Sequence, residues 1–385
     1  MGYRVVSLGD VIQLEDSKRQ PLSSRERDNR RGVYPYYGAQ GIVDYLDDYT
    51  YEGDYLLVAE DGENLRSRKQ PIANAAHGRF RVNNHAHVIA ATKCCNLIYL
   101  RHLLNNMDIA AYVTGSTQPK LSQTSLLNMK VELPEIDKQD AIATFLHCFD
   151  AKITANAKLN GYLEELLLAK YDDLFPADGN FNGTLADAGD VIGGATPSKK
   201  KPEYYCSNGI GWITPRDLSN TNDKFIAHGA DDITKAGYDS CSAKLLPKGS
   251  VLFSSRAPIG YIAIAADEVA TNQGFKSVVP KEEIGTAFIY CFLTRNKQRI
   301  ADMGAGTTFP EVSGKMMKSV ELAVPNKSAC AEFSSFAAPI LAQQEVLERE
   351  NRMNEALRDA LLPKLMSGEI DVSEIDPTQL NSHLA

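Results

Sequence analysis

The chain has 385 residues, 43% of them hydrophobic and 23% charged, with seven cysteines and a net charge of −8. That length suits two or three domains with ample core, and no apolar run reaches the roughly 18 residues a membrane span needs. Met1-Gly2-Tyr3-Arg4-Val5 lacks the apolar core of a signal peptide, so cytoplasmic residence is expected. The cysteines are odd in number, scattered and without a Cys-x-x-Cys pair, which favours reduced thiols over bridges or zinc. The acidity is unevenly spread: residues 1–134 and 179–328 carry +1 and +2, whereas 135–178 and 329–385 carry −5 and −6. A nucleic-acid-binding face on either near-neutral part is thus permitted, though a merely solvated surface fits the same count.

In chain order, a first globular part (1–134) mixes short strand-like runs, Tyr55-Leu56-Leu57-Val58 and His87-Val88-Ile89-Ala90, with a helical stretch from about Asn96 to Asn106. Its polar loops hold several arginines. A long helix is expected over 135–178: Ile142, Leu146, Phe149 and Ile153, then Leu163 and Leu167, alternate three and four apart, with Asn156 and Asn160 in the same stripe. Pro134 precedes it, acids crowd its first turn, and Pro176 and Gly179 stop it. The second globular part (179–327) opens on Gly193-Gly194-Ala195-Thr196-Pro197-Ser198 followed by three lysines. It continues with the strand-like Val251-Leu252-Phe253 and a helical stretch over about 287–302. A second long helix is expected over 328–370, where Ile340, Gln343, Leu347, Asn354, Leu357 and Leu361 repeat the spacing; Pro339 predicts a kink or fresh start within it. A tail, 371–385, closes the chain.

The two halves read as copies. Leu8-Gly9-Asp10-Val11-Ile12 recurs as Ala188-Gly189-Asp190-Val191-Ile192. Gly115-Ser116-Thr117-Gln118-Pro119-Lys120-Leu121-Ser122 recurs as Gly306-Thr307-Thr308-Phe309-Pro310-Glu311-Val312-Ser313, and Val131-Glu132-Leu133 as Val320-Glu321-Leu322. Residues 160–168 and 354–362 keep an Asn and three leucines in register. The expected fold is α/β: two duplicated globular α/β domains separated by two long helices pairing as an antiparallel coiled coil, with approximate two-fold symmetry inside one chain. The competing reading of the long helices is two ordinary core helices of a globular fold.

Catalytic patterns are missing. The sequence has no Gly-x-x-x-x-Gly-Lys-[Ser/Thr] loop, no Gly-x-Gly-x-x-Gly after a strand, no His-Glu-x-x-His and no Gly-x-Ser-x-Gly elbow. His85 and His87 alternate along a strand-like run and would share one face, but no companion ligand is evident and the second copy has Gln273 and Phe275 there. No metal is expected.

Taken together, the repeated loops at 115–122 and 306–313, the Val-Glu-Leu runs, the Gly193 to Ser198 turn and the closing Leu361-Leu362-Pro363-Lys364-Leu365-Met366-Ser367-Gly368-Glu369-Ile370 resemble the DNA-specificity subunit of type I restriction-modification systems. The resemblance spans nearly the whole chain. Pro134 and Gln139 fit the family's first helix start, whereas the second, Pro325-Asn326-Lys327-Ser328, lacks the Gln. The resemblance implies a non-catalytic reader of a split, asymmetric site in double-stranded DNA, with the helix pair setting the spacer. The implied partners are two methyltransferase subunits and motor-nuclease restriction subunits, to which S-adenosylmethionine, ATP and Mg would belong. The chain itself would hold no cofactor. A scaffold that no longer reads DNA is the alternative, and an enzyme of unknown type the third reading.

Candidate DNA contacts follow from the side chains that read groove edges or phosphates. In the first part they are Arg66, Arg68, Lys69, Arg79, Arg81, Asn84 and His85. In the second they are Ser198, Lys199, Lys200, Lys201, Arg216, Arg256, Asn272, Gln273 and Lys276. Thr117, Gln118, Thr307 and Thr308, in the repeated loops, suit a shared contact with phosphate or a methyltransferase subunit. Helix pairing is assigned to Ile142, Leu146, Phe149, Ile153, Asn160, Leu163, Leu167, Ile340, Leu347, Asn354, Leu357 and Leu361.

Overall fold

A computed structural model describes residues 3–176, 180–256, 258–304 and 310–372. The chain divides into two compact units, Met1–Lys152 with Asn354–Ala385, and Ile153–Met353. Each unit therefore takes one globular part and one portion of each long helix. Among the described residues, no helix is long and apolar enough to cross a membrane.

The first unit is built on a six-stranded sheet in the order Gln13–Leu14, Ala86–Ala90, Tyr51–Ala59, Ala73–Val82, Arg31–Gly38, Gly41–Leu46. The helix Leu97–Asn106 packs beside it, capped by Asn96, whose side chain accepts from the Ile98 and Tyr99 amides. A two-stranded ladder pairs Arg4–Ser7 with Lys130–Leu133, so the Val-Glu-Leu run is the last strand before the long helix. In the second unit a five-stranded sheet runs Gly189–Gly193, Lys276–Pro280, Val251–Ser255, Ile259–Ala265, Phe225–Ile226. Its matching ladder pairs Gly183–Thr184 with Glu321–Leu322. The helical stretch expected over 287–302 is two helices, Thr286–Arg295 and Lys297–Asp302.

The repeated loop has a structural cause. Gly115 sits at φ +85°, and a Cβ there would lie 2.2 Å from the Gln118 carbonyl oxygen, so only glycine fits. Leu121 and Val312 are wholly buried. Ser122 caps the helix Gln123–Asn128 by accepting from the Ser125 amide, and Ser313 caps Gly314–Lys318 through the Met316 amide. The opening repeat needs a shift: the Leu8 amide donates to Met129 O and the Leu185 amide to Val320 O, which sets Leu8 on Leu185 rather than on Ala188. The shift of three persists through the next strand, where the pairings set Gln13 on Asp190, and the same two bonds set Met129, not Val131, on Val320.

The long helices span Ile136–Leu174 and Lys327–Ser367. Buried Gln139 ties the first helix start together, accepting from the Asn96 amide and donating to the Cys94 and Pro134 carbonyls. The second start replaces that device with Asn326, whose side chain accepts from the Ala329 amide. No fresh start occurs at Pro339. Pro339 and Ser335, whose carbonyl loses its partner, both lie on the exposed side where water can serve it. Within each unit the two helices run antiparallel. In the first unit Asp150 meets Arg358 at 2.8 Å and Lys138 meets Asp371 at 3.6 Å, over a core shared by Ile142, Leu146, Phe149, Leu362 and Leu365. In the second, Asn156 donates to Glu350, Asn160 to Glu348, and Lys170 pairs with Glu332.

Ile142, Leu146, Phe149, Leu167, Ile340, Leu347 and Asn354 are buried; Ile153, Asn160, Leu163 and Leu361 are half-buried. Leu357 is a correction: it is 41% exposed, because Asn354 takes the inward position on that turn, and Leu362 and Leu365 those of the turns that follow.

Candidate nucleic-acid interface

In the first unit the charged candidates do not form one patch. Arg79 pairs with Glu52 at 2.9 Å and lies over the Tyr49 ring. That places it at the far end of strand Tyr51–Ala59 from His85, about 25 Å away at the rise of an antiparallel strand. Arg81 is 2% exposed and held by Asp48 and Gln20. It is a core cation, not a surface contact, because its strand turns it inward. Arg68, at φ 51°, donates to the Leu104 and Asn105 carbonyls and so closes the helix Leu97–Asn106; burial lowers its pKa. Arg66 donates to the Gly115 and Ser116 carbonyls and holds the repeated loop. Lys69, Asn84, Thr117 and Gln118 are exposed, and His85 is half open, with Nδ1 2.7 Å from Asp61.

His85 and His87 do not share a face. His85 precedes the strand Ala86–Ala90, while His87 is buried with Nδ1 2.6 Å from Asp16 and Nε2 2.8 Å from Leu121 O. Asp16, Glu60 and His87 lie close enough to share a cation. Arg19 fills that role, bonding Glu60 at 2.7 Å and Asp16 at 3.2 Å. Burial works against the Glu60 carboxylate, yet Arg19 and its cationic neighbours hold its pKa below the ordinary value.

The second unit does gather its candidates. A cleft of about 760 Å³ is lined by Lys199, Arg216, Arg256, Asn272 and Gln273 together with Thr196, Tyr205, Trp212, Asp217 and Asp231. Its walls are fixed by bonds the side chains make at their inner ends. Trp212 Nε1 donates to Ala195 O at 3.1 Å and Tyr205 to Pro197 O at 2.7 Å. Thr214, Pro215 and Asp217 form a capping box that sets Arg216 on the first turn of the helix Pro215–Ser219. Asn272 accepts from the Gly274 amide at 2.8 Å, and Gln273 accepts from the Thr196 hydroxyl. Arg256 and Lys276 approach Glu311 at 3.7 and 3.4 Å. Ser198, Lys200 and Lys201 are exposed on the turn beyond Lys199, with Lys201 over Tyr204. Thr307 and Thr308 lie outside the described residues.

The same backbone knot underlies both places. Glu60 donates to His85 O and Leu121 to Glu60 O, each at 2.8 Å; Ser255 donates to Gly274 O at 2.7 Å and Val312 to Ser255 O at 3.0 Å. A strand end, a turn and the repeated loop meet in each unit, but one knot carries Glu60 and Asp61 where the other carries Ser255 and Arg256.

The sequence model of the type I restriction modification DNA specificity domain matches residues 1–165 and 180–349. The chain belongs to this family. A type I restriction enzyme MjaIX specificity subunit from Methanocaldococcus jannaschii is 36% identical over 190 residues, covering 49% of this chain and 43% of that protein. A putative specificity subunit from Haemophilus influenzae is 33% identical over 144 residues, 37% of this chain and 36% of the relative. Each match thus spans less than half the curated relative. A crystal structure of a type I restriction-modification S subunit from M. genitalium shares the fold, with a TM-score of 0.66 at 15% identity over 95% of this chain and 96% of the other.

Membership in the DNA specificity family gives weight to residues the sequence reading passed over. Trp212, Tyr205, Asp217 and Asp231 build the cleft and were not singled out, and Thr196 was noted only as part of the Gly193 to Ser198 turn. One signal was available: Thr214-Pro215-Arg216-Asp217 spells a helix start with Pro at its first position and an acid closing the box, which projects the intervening arginine.

Proposed function

We propose that the chain is the DNA-sequence-specificity subunit of a type I restriction-modification complex. It reads a bipartite, asymmetric site in double-stranded DNA and recruits two methyltransferase subunits and motor-nuclease subunits. Residues 1–134 and 179–327 act as target-recognition domains, and the helical stretches 135–178 and 328–370 set the spacing between half-sites. The observation that carries this reading is the second unit's cleft: Lys199, Arg216 and Arg256 beside two amide side chains, in a chain of the DNA specificity family. Cations of this kind position phosphates and read guanine, and amides read base edges. In the first domain Lys69, Asn84, His85, Thr117 and Gln118 take the contacts, while Arg66, Arg68 and Arg81 serve the fold. The protein is non-catalytic and works in the cytoplasm; S-adenosylmethionine, ATP and Mg belong to its partners.

The test is to co-express the full chain with the methyltransferase encoded beside it and map methylated adenines across the host genome. A split motif with a fixed spacer, altered in one half by Arg256→Ala, is expected. A soluble, assembled complex that leaves no new methylation would refute the reading.

A further inference from the structure

Asn and Gln side chains in a DNA-reading site are expected to pair with adenine, because an amide offers one acceptor and one donor to match adenine N6 and N7. Asn272 and Gln273 do not offer that pair. The Asn272 Oδ1 is turned inward onto the amide of Gly274, a buried residue, at 2.8 Å, and a backbone N–H can only donate, so the sense of this amide is fixed. The Gln273 Oε1 takes the Thr196 hydroxyl proton. With its oxygen engaged, each of these two residues is left with its NH2 group to offer a ligand in the cleft that both line with Arg216, Arg256 and Lys199, which are donors as well. The Asp217 carboxylate is consumed by the Thr214 amide and hydroxyl and by the Ala230 amide. Asp231 lines the same cleft as an open carboxylate, and Asn220 adds an amide of either sense.

Resting on the reading of the chain as a DNA-specificity subunit, we infer that the second unit's cleft reads a G·C pair, with Asn272 and Gln273 donating to guanine. In the major groove guanine presents two adjacent acceptors, N7 and O6, and its cytosine partner presents the N4 amino group. Neighbouring NH2 groups match the first two, and the Asp231 carboxylate matches the third. An A·T pair offers the adenine N6 donor where the cleft has another donor, so one bond is lost and two donors are opposed. Thr196 is a positioning residue: its hydroxyl engages the Gln273 Oε1 and so leaves the NH2 group of that amide for the base.

The experiment selects bound duplexes from a random pool with the full chain assembled with its methyltransferase partner, for the wild type, Gln273→Ala and Thr196→Val. One position of the wild-type site should lose its preference in Gln273→Ala, and that position should be G·C. Replacing its guanine with 7-deazaguanine, which lacks the N7 acceptor, should weaken wild-type binding on the order of tenfold and leave Gln273→Ala nearly unaffected. Thr196→Val frees the amide to turn over, so its guanine-to-adenine discrimination at that position should fall toward unity. An A·T pair at the Gln273-dependent position, or full discrimination in Thr196→Val, overturns the inference and leaves the DNA-reading proposal standing. A pool that yields no enriched sequence overturns that proposal itself.

Discussion

Replacing Glu348 should unfasten the second long helix from the sheet it lies against. The side chain is 3% exposed and accepts from the Lys224 amide at 2.9 Å, the Phe225 amide at 3.0 Å and the Asn160 side chain at 3.1 Å. Lys224, also buried, reaches Glu164 and, at 2.6 Å, Gln344. Glu348→Ala leaves two buried backbone donors and one amide without acceptors, at about 1–3 kcal/mol for each orphaned group, so a total of at least about 3 kcal/mol is expected. At about 2–4 °C per kcal/mol for a unit of this size, the melting temperature should drop by on the order of 10 °C. Glu348→Gln keeps one oxygen and should lose far less. Burial raises the Glu348 pKa above its ordinary 4.5 despite the donors around it. Its contribution is therefore fully present below the unfolded value and declines as pH rises through the folded one. The wild type should accordingly lose stability relative to Glu348→Gln across that window. Thermal and denaturant unfolding of the full chain followed by circular dichroism, at several pH values, measures all three proteins. A Glu348→Ala variant that melts within a degree of wild type would refute the reasoning.

Three further outcomes are expected. Leu365→Ala, at a wholly buried position in the first unit's core, should cost about 2–5 kcal/mol, whereas Leu357→Ala should stay within about 0.5 kcal/mol by the same unfolding assay. His102 is buried beside Arg101, and burial lowers its pKa to about 4 from 6.5; stability present above pH 6.5 should be lost as pH falls toward 4, by roughly 3 kcal/mol in all. His102→Asn should flatten that limb of the stability curve. Inserting one heptad into each long helix adds about 10 Å, so under the proposed function the unread spacer should grow by roughly three base pairs with both half-sites unchanged in a methylation map.

Much of this architecture could be read before any coordinates. Long-range apolar periodicity marked both helices because a seam at three-and-four spacing is a property of the chain alone. Duplication was visible for a similar reason. Gly115, Leu121 and Ser122 are each dictated by a local demand, respectively a positive φ, a core position and a helix cap, and local demands recur in sequence wherever the same turn recurs. The limits appeared in register: short runs of similar residues align as well three positions out, and only the strand pairings set Leu8 on Leu185.

What the sequence could not supply was the fate of each polar side chain. Arg66, Arg68, Arg79 and Arg81 look alike on paper, yet one clamps a loop, one closes a helix, one pairs across a strand and one is buried. Each outcome depends on carbonyls and carboxylates tens of residues away. The same holds for the cleft: Thr196, Trp212, Arg216, Arg256 and Gln273 are scattered over nearly eighty positions and meet only because strand pairing brings their turns together. The helices were determined by the sequence itself, since their pattern is local. The site was decided by the tertiary structure, since hydrogen-bond partners are chosen by proximity in space.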